Sequence, residues 1–340
     1  MLRAENLRLY NSLALSARAA ALVEAGSDEE VRRACRWARQ HGMAVIPLGE
    51  GSNVVFARDV RAMVLRQRPR GIRLLQDDGN SAVLRVGAGE NWHSLVLWTL
   101  QHGLFGLENL ALIPGTVGAA PIQNIGAYGV ELAPSVAAVH ALRIDDGKAM
   151  TLSPLECAFG YRDSIFKREL RDAVVITAVD LCLDRRPALN IDYPALAAAL
   201  AGRECSALTP QAVFQAVVDI RRARLPDPVE EPNAGSFFKN PVIDSEQAAE
   251  LARRFPGIPL YSQGEGRRKT SAAWLIDYCG WKGRRHGGVG VHPGHALVLV
   301  NYGSDSGLEL LSLARDIAAS VEKTFAVALE IEPRVYGQAA

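Results

Sequence analysis

From Leu107 to Leu132 the chain reads LENLALIPGTVGAAPIQNIGAYGVEL, a run that keeps neither the alternation of a strand nor the 3.6-residue period of a helix. Glycines at 115, 118, 126 and 129, with Ala119, Ala120 and Ala127, remove the side chains that would hold a bulky partner off the backbone. Such a stretch cannot form an amphipathic layer. It predicts a close backbone approach to something flat or large, and so a chain whose regular elements are built around a site.

Those regular elements are mixed. Ser27 opens a capping box with Glu30, and Val31, Ala34, Cys35 and Ala38 fall on one helical face before Gly42. A strand over Ala44–Leu48 then runs into GEGSN, Gly49 to Asn53. The passage recurs: a strand over Val83–Val86, a GAGE turn, and a helix carrying Trp92, Leu95, Val96, Thr99 and Leu100. Further on, strands are predicted at Ala173–Val179 and Ala296–Val300, and helices at about 211–222, 245–254 and 308–324, with another in Lys269–Asp277. Prolines at 226, 228 and 232 mark a rigid connection, the predicted boundary between a front half and a rear domain. At about 150 residues each, 340 residues allow two or three domains.

The 38 Lys and Arg against 37 Asp and Glu exclude a bulk basic footprint for nucleic acid, so an anionic ligand must be met by a few placed cations. No apolar run approaches the ~20 residues of a membrane span, and Leu13–Ala25, broken by Arg18 and Glu24, lacks the features of a secretory signal. The expected compartment is the cytoplasm. Cys35, Cys157, Cys182, Cys205 and Cys279 are odd in number and contain no C-x-x-C, which fits reduced thiols rather than disulfides or zinc. His292 and His295, in HPGH, are too close for the two ligands of a zinc helix, and no metal is expected.

Several segments could carry chemistry. GEGSN can cradle phosphate through inward amides with Ser52 and Asn53 as added donors, or can be an ordinary tight turn. GYRDSIFK at 160–167 gathers an aromatic, two cations, a carboxylate and a hydroxyl, or is a solvated loop. Ser236 in AGSFFKNP stands before two aromatics but lacks the G-x-S-x-G elbow, which disfavours a hydrolase nucleophile. In LEIEPRV, Glu330 and Glu332 share a face if the strand is regular, and Pro333 restricts that strand to an edge or an end.

In order and spacing, LGEGSNVVF, GLENLALIPGTVGAAPIQNIGAYGVEL, GYRDSIFK, LPDP, NAGSFFKNP and WLID closely resemble the UDP-N-acetylenolpyruvoylglucosamine reductase family, flavoenzymes that make UDP-N-acetylmuramate for bacterial peptidoglycan. The resemblance runs from Asn11 to Gly337, and Tyr193 in IDYPAL is similar to the longer, type I branch. It implies an α+β chain: a two-subdomain FAD-binding fold of the vanillyl-alcohol-oxidase (PCMH) type, residues 1–70 and 71–223, and a C-terminal α+β substrate-binding domain, 224–332, with the tail 333–340 returning to the first subdomain.

The same resemblance implies that Gly49, Glu50, Gly51, Ser52 and Asn53 hold the FAD pyrophosphate. Ile113, Gly115, Thr116, Gly118, Ala119, Gln123, Asn124, Gly126 and Ala127 would lie along the flavin and its chain. Tyr193, Arg224, Lys239, Asn240 and His295 would serve UDP-N-acetylglucosamine enolpyruvate, with NADPH as hydride donor, in a monomer that needs no nucleic acid or membrane. Arg162, Ser236 and Glu332 carry over as the catalytic residues. Hydride delivery to the enolpyruvyl ether leaves an enolate beside a carboxylate, which Arg162 can stabilise, Glu332 can assist as a hydrogen-bond partner, and Ser236 can quench with a proton.

Three positions depart from the family pattern. Arg224 replaces a lysine, His295 a glutamine, and Pro333 follows Glu332. Two other readings fit the sequence less well: a flavin oxidase of the same fold, whose histidine or cysteine tether is not seen in the flavin-facing motifs, and a flavin- or sugar-nucleotide-binding sensor without turnover.

Overall fold

The computed structural model of the chain describes residues 5–204, 207–264 and 266–338. Cys205, expected to be a reduced thiol, lies outside them. The chain divides into two compact units: one mainly of Ala19–Gly51 and Arg61–Ala223, the other of Asn6–Arg18, Ser52–Val60 and the chain from Arg224 onward.

In the first unit, strands Arg18–Ala25, Val60–Gln67 and Ala44–Leu48 lie side by side in that order, the last two parallel. Helix α1 (Asp28–Gln40) covers them with Val31, Ala34, Cys35 and Ala38, the face its spacing predicts. Ser27 accepts from the Glu30 amide as expected, but the Glu30 carboxylate turns back to the Gly26 amide, one residue upstream of the cap.

A second, antiparallel sheet has the order Ala149–Leu152, Val136–Arg143, Val174–Asp184, Ser81–Gly87, Ile72–Asp77. Leu84 and Val86 alternate into its core with Val179, Leu181 and Leu183. On the other face Arg85 binds Asp180 through two 2.7 Å bonds, and His140 Nε2 lies 2.8 Å from the same carboxylate. Burial pushes the Asp180 pKa up, but the Arg85 and His140 bonds outweigh it and hold it below the usual carboxylate value. The strand predicted at Ala173–Val179 runs on to Asp184 because Cys182 and Asp184 keep pairing with Val83 and Ser81.

Helix α2 (Trp92–Gln101) buries all five predicted residues behind an Asn91 cap. Helices α3 (Pro194–Leu200) and α4 (Pro210–Arg224) complete the unit. The Leu107–Leu132 run is more regular than its sequence suggests. It holds 3-10 turns at Glu108–Leu110 and Val117–Gln123, then a hairpin pairing Gly126–Ala127 with Val130–Glu131. The hairpin turns through Tyr128 and Gly129, both at positive φ (48° and 85°).

The second unit has a sheet of order Asn233–Ser236, Val298–Asn301, Val289–Val291, Arg285–His286 and a smaller one of order Val242–Asp244, Arg267–Thr270, Leu260–Ser262. Helices α5 (Ser245–Arg254), α6 (Ala272–Tyr278) and α7 (Gly307–Phe325) pack with them around Phe237, Phe238 and Phe325. The helix expected within Lys269–Asp277 starts only at Ala272. Thr270 pairs with Leu260, and Ser271 caps the helix by accepting from the Trp274 amide. LEIEPRV is likewise no continuous strand. A single bridge joins Ile331 to Phe238, and regular pairing begins after Pro333, where Arg334–Tyr336 runs parallel to Val54–Phe56.

Burial pushes the thiols of Cys35 and Cys157 up to about 11 and about 12, so both stay protonated near neutrality. Among the described residues no helix is long and apolar enough to cross a membrane, and no cluster of three His, Cys, Asp or Glu side chains could hold a metal ion.

Candidate active site

In the first unit the glycines of the unusual run are required first of all by the chain itself. A Cβ on Gly118 would meet the Ala88 Cβ at 2.5 Å, and one on Gly126 would meet Arg162 Nη1 at 2.8 Å. One on Gly49 would stand 2.5 Å from the Thr116 hydroxyl, so the GEGSN turn reaches the amino end of the Val117–Gln123 turn. Gly51 and Gly115 are at positive φ (71° and 121°), which favours glycine at both points.

Among the described residues the Thr116 hydroxyl has no hydrogen-bond partner, although the residue is 4% exposed. A buried hydroxyl without a partner costs on the order of 1–3 kcal/mol, so a ligand that accepts from it would recover that loss. A hydroxyl donor set against a glycine turn, with no acid between them, fits a phosphate oxygen, and the residues present therefore fit an FAD diphosphate. Glu50 is turned aside, accepting from Asn91 Nδ2 at 3.1 Å.

Asn124 differs from Thr116. It is buried, at φ 44°, and its amide donates to Glu131 Oε2 and the Gly160 carbonyl while its oxygen accepts from the Ala133 amide. These bonds make it an internal brace between the glycine run and GYRDSIFK. Two more join the same segments: Ser164 Oγ donates to the Ile122 carbonyl and Arg162 Nη2 to the Gly126 carbonyl, each at 2.5 Å. Gly160 and Asp163 bond to each other across a tight turn whose second central residue, Arg162, sits at φ 53°. A non-glycine residue there costs about 1 kcal/mol or more, and such strain is held where a side chain must be aimed. Ile113 and Ala127 pack against the core, the Ala119 amide closes the turn onto Thr116, and Gln123 ends that turn. Tyr193, 42% exposed at the start of α3, meets the Tyr128 ring edge-on at 5.3 Å.

In the second unit Ser236 ends its strand opposite Val298, after a register shift at Ala234–Gly235. Gly235 is at φ 69°, and its amide donates to Asn233 Oδ1 at 2.8 Å. Asn233 also donates to the carbonyls of Pro226 and Glu231. This bulge re-aims the serine. Asn233 was not singled out from sequence, yet its signal is there: an Asx residue two positions before a glycine.

Glu332 lies next to the Ile331 bridge, where its amide donates to the Phe237 carbonyl. Lys239 is ion-paired with Glu330. The Asn240 oxygen accepts from the Ala272 amide at the start of α6. Ser52 and Asn53 also fall in this unit: the Ser52 carbonyl accepts from Ser12 Oγ, and the Asn53 carbonyl from the Arg334 amide. Burial pushes the His295 pKa below its ordinary value, helped by the positive charges of Arg224, His292 and Lys282.

Comparison with known proteins gives the class first. The family model described as an FAD binding domain matches residues 19–153, and the chain is a flavoprotein. The model for the UDP-N-acetylenolpyruvoylglucosamine reductase C-terminal domain matches 227–336. UDP-N-acetylenolpyruvoylglucosamine reductase of Pseudomonas putida is 45% identical over 331 residues, 97% of each chain. That of Burkholderia pseudomallei is 48% identical over 330 residues, 96% of this chain and 95% of the relative. The crystal structure of the Thermus caldophilus reductase aligns over 99% of this chain and 100% of its own, with a TM-score of 0.68 at 27% identity. The chain belongs to the UDP-N-acetylenolpyruvoylglucosamine reductase family.

Proposed function

We propose that this protein reduces the enolpyruvyl ether of UDP-N-acetylglucosamine enolpyruvate to the lactyl ether of UDP-N-acetylmuramate, with NADPH as electron source, in the supply of peptidoglycan precursors. The observation that carries the reading is the likeness, at 45% identity and over 97% of the chain, to a protein named for that reductase. FAD held by this chain's residues would supply the two-electron chemistry that links the nicotinamide to the enolpyruvyl group.

Gly49–Asn53 and Thr116 hold the cofactor's diphosphate, the latter with the hydroxyl that has no partner among the described residues. Ile113–Ala127 lines the flavin, with Asn124 bracing the run from behind. Arg162 binds the substrate carboxylate and stabilises the negative charge that develops beside it; its fixed turn and permanent charge suit that task. Ser236 gives the proton that completes the reduction, and Glu332 acts as a hydrogen-bond partner to the same charge. Tyr193, Arg224, Lys239, Asn240 and His295 receive the sugar nucleotide, Lys239 by exchanging its exposed partner Glu330 for phosphate.

The division into flavin-binding subdomains 1–70 and 71–223 and a substrate-binding domain 224–332 belongs to the same reading. The tail, 333–340, is read as returning to residues 1–70; Arg334–Tyr336 pairs with Val54–Phe56, which fall in that range but group with the chain from Arg224 onward. We read the protein as a cytoplasmic monomer acting on a soluble substrate. Anaerobic titration tests the proposal: NADPH should bleach the bound FAD, and the enolpyruvyl sugar nucleotide should restore its colour. Bleaching that the sugar nucleotide cannot reverse would refute it.

A further inference from the structure

The segment leading into the flavin-assigned run is fastened to the start of α2. Trp92 Nε1 donates to the Leu110 carbonyl at 2.9 Å, the Trp92 amide to the Gly115 carbonyl at 3.0 Å, and the Val117 amide to the Glu90 carbonyl at 2.9 Å. Between these points sits Leu112, at φ 57°, a left-handed conformation that leucine rarely adopts. Side chains from two different helices take both of its backbone polar groups. Its amide donates to His93 Nδ1 of α2 at 3.0 Å, and its carbonyl accepts from Arg221 Nε of α4 at 3.2 Å.

His93 can accept that bond only as the neutral ring with its proton on Nε2. Its setting keeps it so. The ring lies parallel to Phe214 with centroids 5.4 Å apart, and it occupies the first turn of α2, where unpaired amides disfavour a cation. Burial, then Arg222 and Arg221 from α4, push its pKa below the ordinary 6.5. Glu90, just ahead of α2, directs its carboxylate to the Gly71 amide. Protonation at Nδ1 would set one N–H against another at the residue that begins the run, and none of the other bonds named here contains a group that titrates near neutrality.

We propose that His93 is a positioning residue for FAD: as the neutral imidazole it sets the left-handed turn at Leu112 and with it the course of residues 113–127, and its protonation releases that turn and weakens FAD binding in mild acid. The inference rests on the assignment of 113–127 to the flavin.

The test is FAD affinity of the full-length apoprotein, followed by quenching of FAD fluorescence from about pH 8 to about pH 5. The variants are His93→Phe, which keeps the stack on Phe214 but has no acceptor, His93→Asn, whose Oδ1 can take the place of Nδ1, and Thr116→Val. His93→Phe should bind FAD about tenfold more weakly at the upper pH. His93→Asn should stay within about threefold of the parent there and should lack the parent's loss of affinity on acidification. If His93→Phe fails to fold, the pH profile of His93→Asn decides alone: an acid limb identical to the parent's overturns the proposal. If Thr116→Val weakens binding and the His93 variants do not, the role of His93 fails and the flavin assignment stands. If none of the three alters binding, both fall.

Discussion

Gly126 and Arg162 fit together so closely that a Cβ on the glycine would lie 2.8 Å from the arginine's Nη1, while the arginine's Nη2 donates to the glycine's carbonyl at 2.5 Å. The absent side chain at 126 therefore sets where the guanidinium lies. Gly126 is not at positive φ, so alanine is not strained in φ there and acts by crowding, against Arg162 and against the Val130 carbonyl at 3.0 Å. Gly126→Ala should cost about 1–3 kcal/mol of stability. It should also slow reoxidation of the reduced enzyme by the enolpyruvyl substrate more than reduction by NADPH, as read by stopped-flow absorbance. Equal slowing of both half-reactions would detach Arg162 from the substrate step.

Ser236 is aimed by a bulge that Asn233 holds through three bonds. With the serine as proton donor, Ser236→Ala should leave NADPH-dependent reduction nearly intact and slow reoxidation by substrate by several orders of magnitude, on the order of 10³-fold or more. Asn233→Ala should reproduce part of that loss while Ser236 is still present. Comparing the two half-reactions in each variant checks both points.

Thr116 gives a test with opposite signs. Its buried hydroxyl has no partner among the described residues, so Thr116→Val should leave the apoprotein's melting temperature unchanged or raise it. The same change should weaken FAD binding about tenfold if the hydroxyl meets the diphosphate. A variant that is less stable as the apoprotein yet binds FAD normally would assign the hydroxyl a purely structural part.

The motif strings and the helix faces were legible because each rests on local periodicity or on residue chemistry: Val31, Ala34, Cys35 and Ala38 on α1, and Trp92, Leu95, Val96, Thr99 and Leu100 on α2, are buried as spaced. The glycine run was legible as a site but not as a shape. Its spacing encodes approaches such as Gly118 to Ala88, thirty residues apart in sequence, which no local pattern contains. The same limit hid the braces. Asn124 to Gly160, Asn233 to Pro226 and His93 to Leu112 are side chain to backbone contacts between segments, the first two to carbonyls and the third from an amide, and their partners' identities leave no trace in sequence because nearly every residue has both groups. The Lys269–Asp277 helix was placed too early since a strand register, not propensity, claims Lys269 and Thr270.

Two histidines define the acid side of stability. Burial holds both His93 and His295 below 6.5, so the folded state keeps them neutral while the unfolded chain takes up protons. Their contribution is complete above that value and is lost as pH falls through it towards the folded pKa values. Asp180, held below its ordinary 3.8, adds its own loss only once pH drops under that value. Thermal melts should therefore show Tm falling by a few degrees between about pH 7.5 and pH 5.5. His295→Gln should flatten part of that slope, and a parent Tm that rises across this interval would reverse the assignment.

The most direct measurement of the proposed function is the anaerobic stoichiometry of the holoenzyme given NADPH and UDP-N-acetylglucosamine enolpyruvate. The expected result is equimolar loss of NADPH and enolpyruvyl substrate, with a product heavier by the mass of two hydrogens and no requirement for oxygen. NADPH oxidation that ignores the sugar nucleotide, or that proceeds only with oxygen, would contradict it.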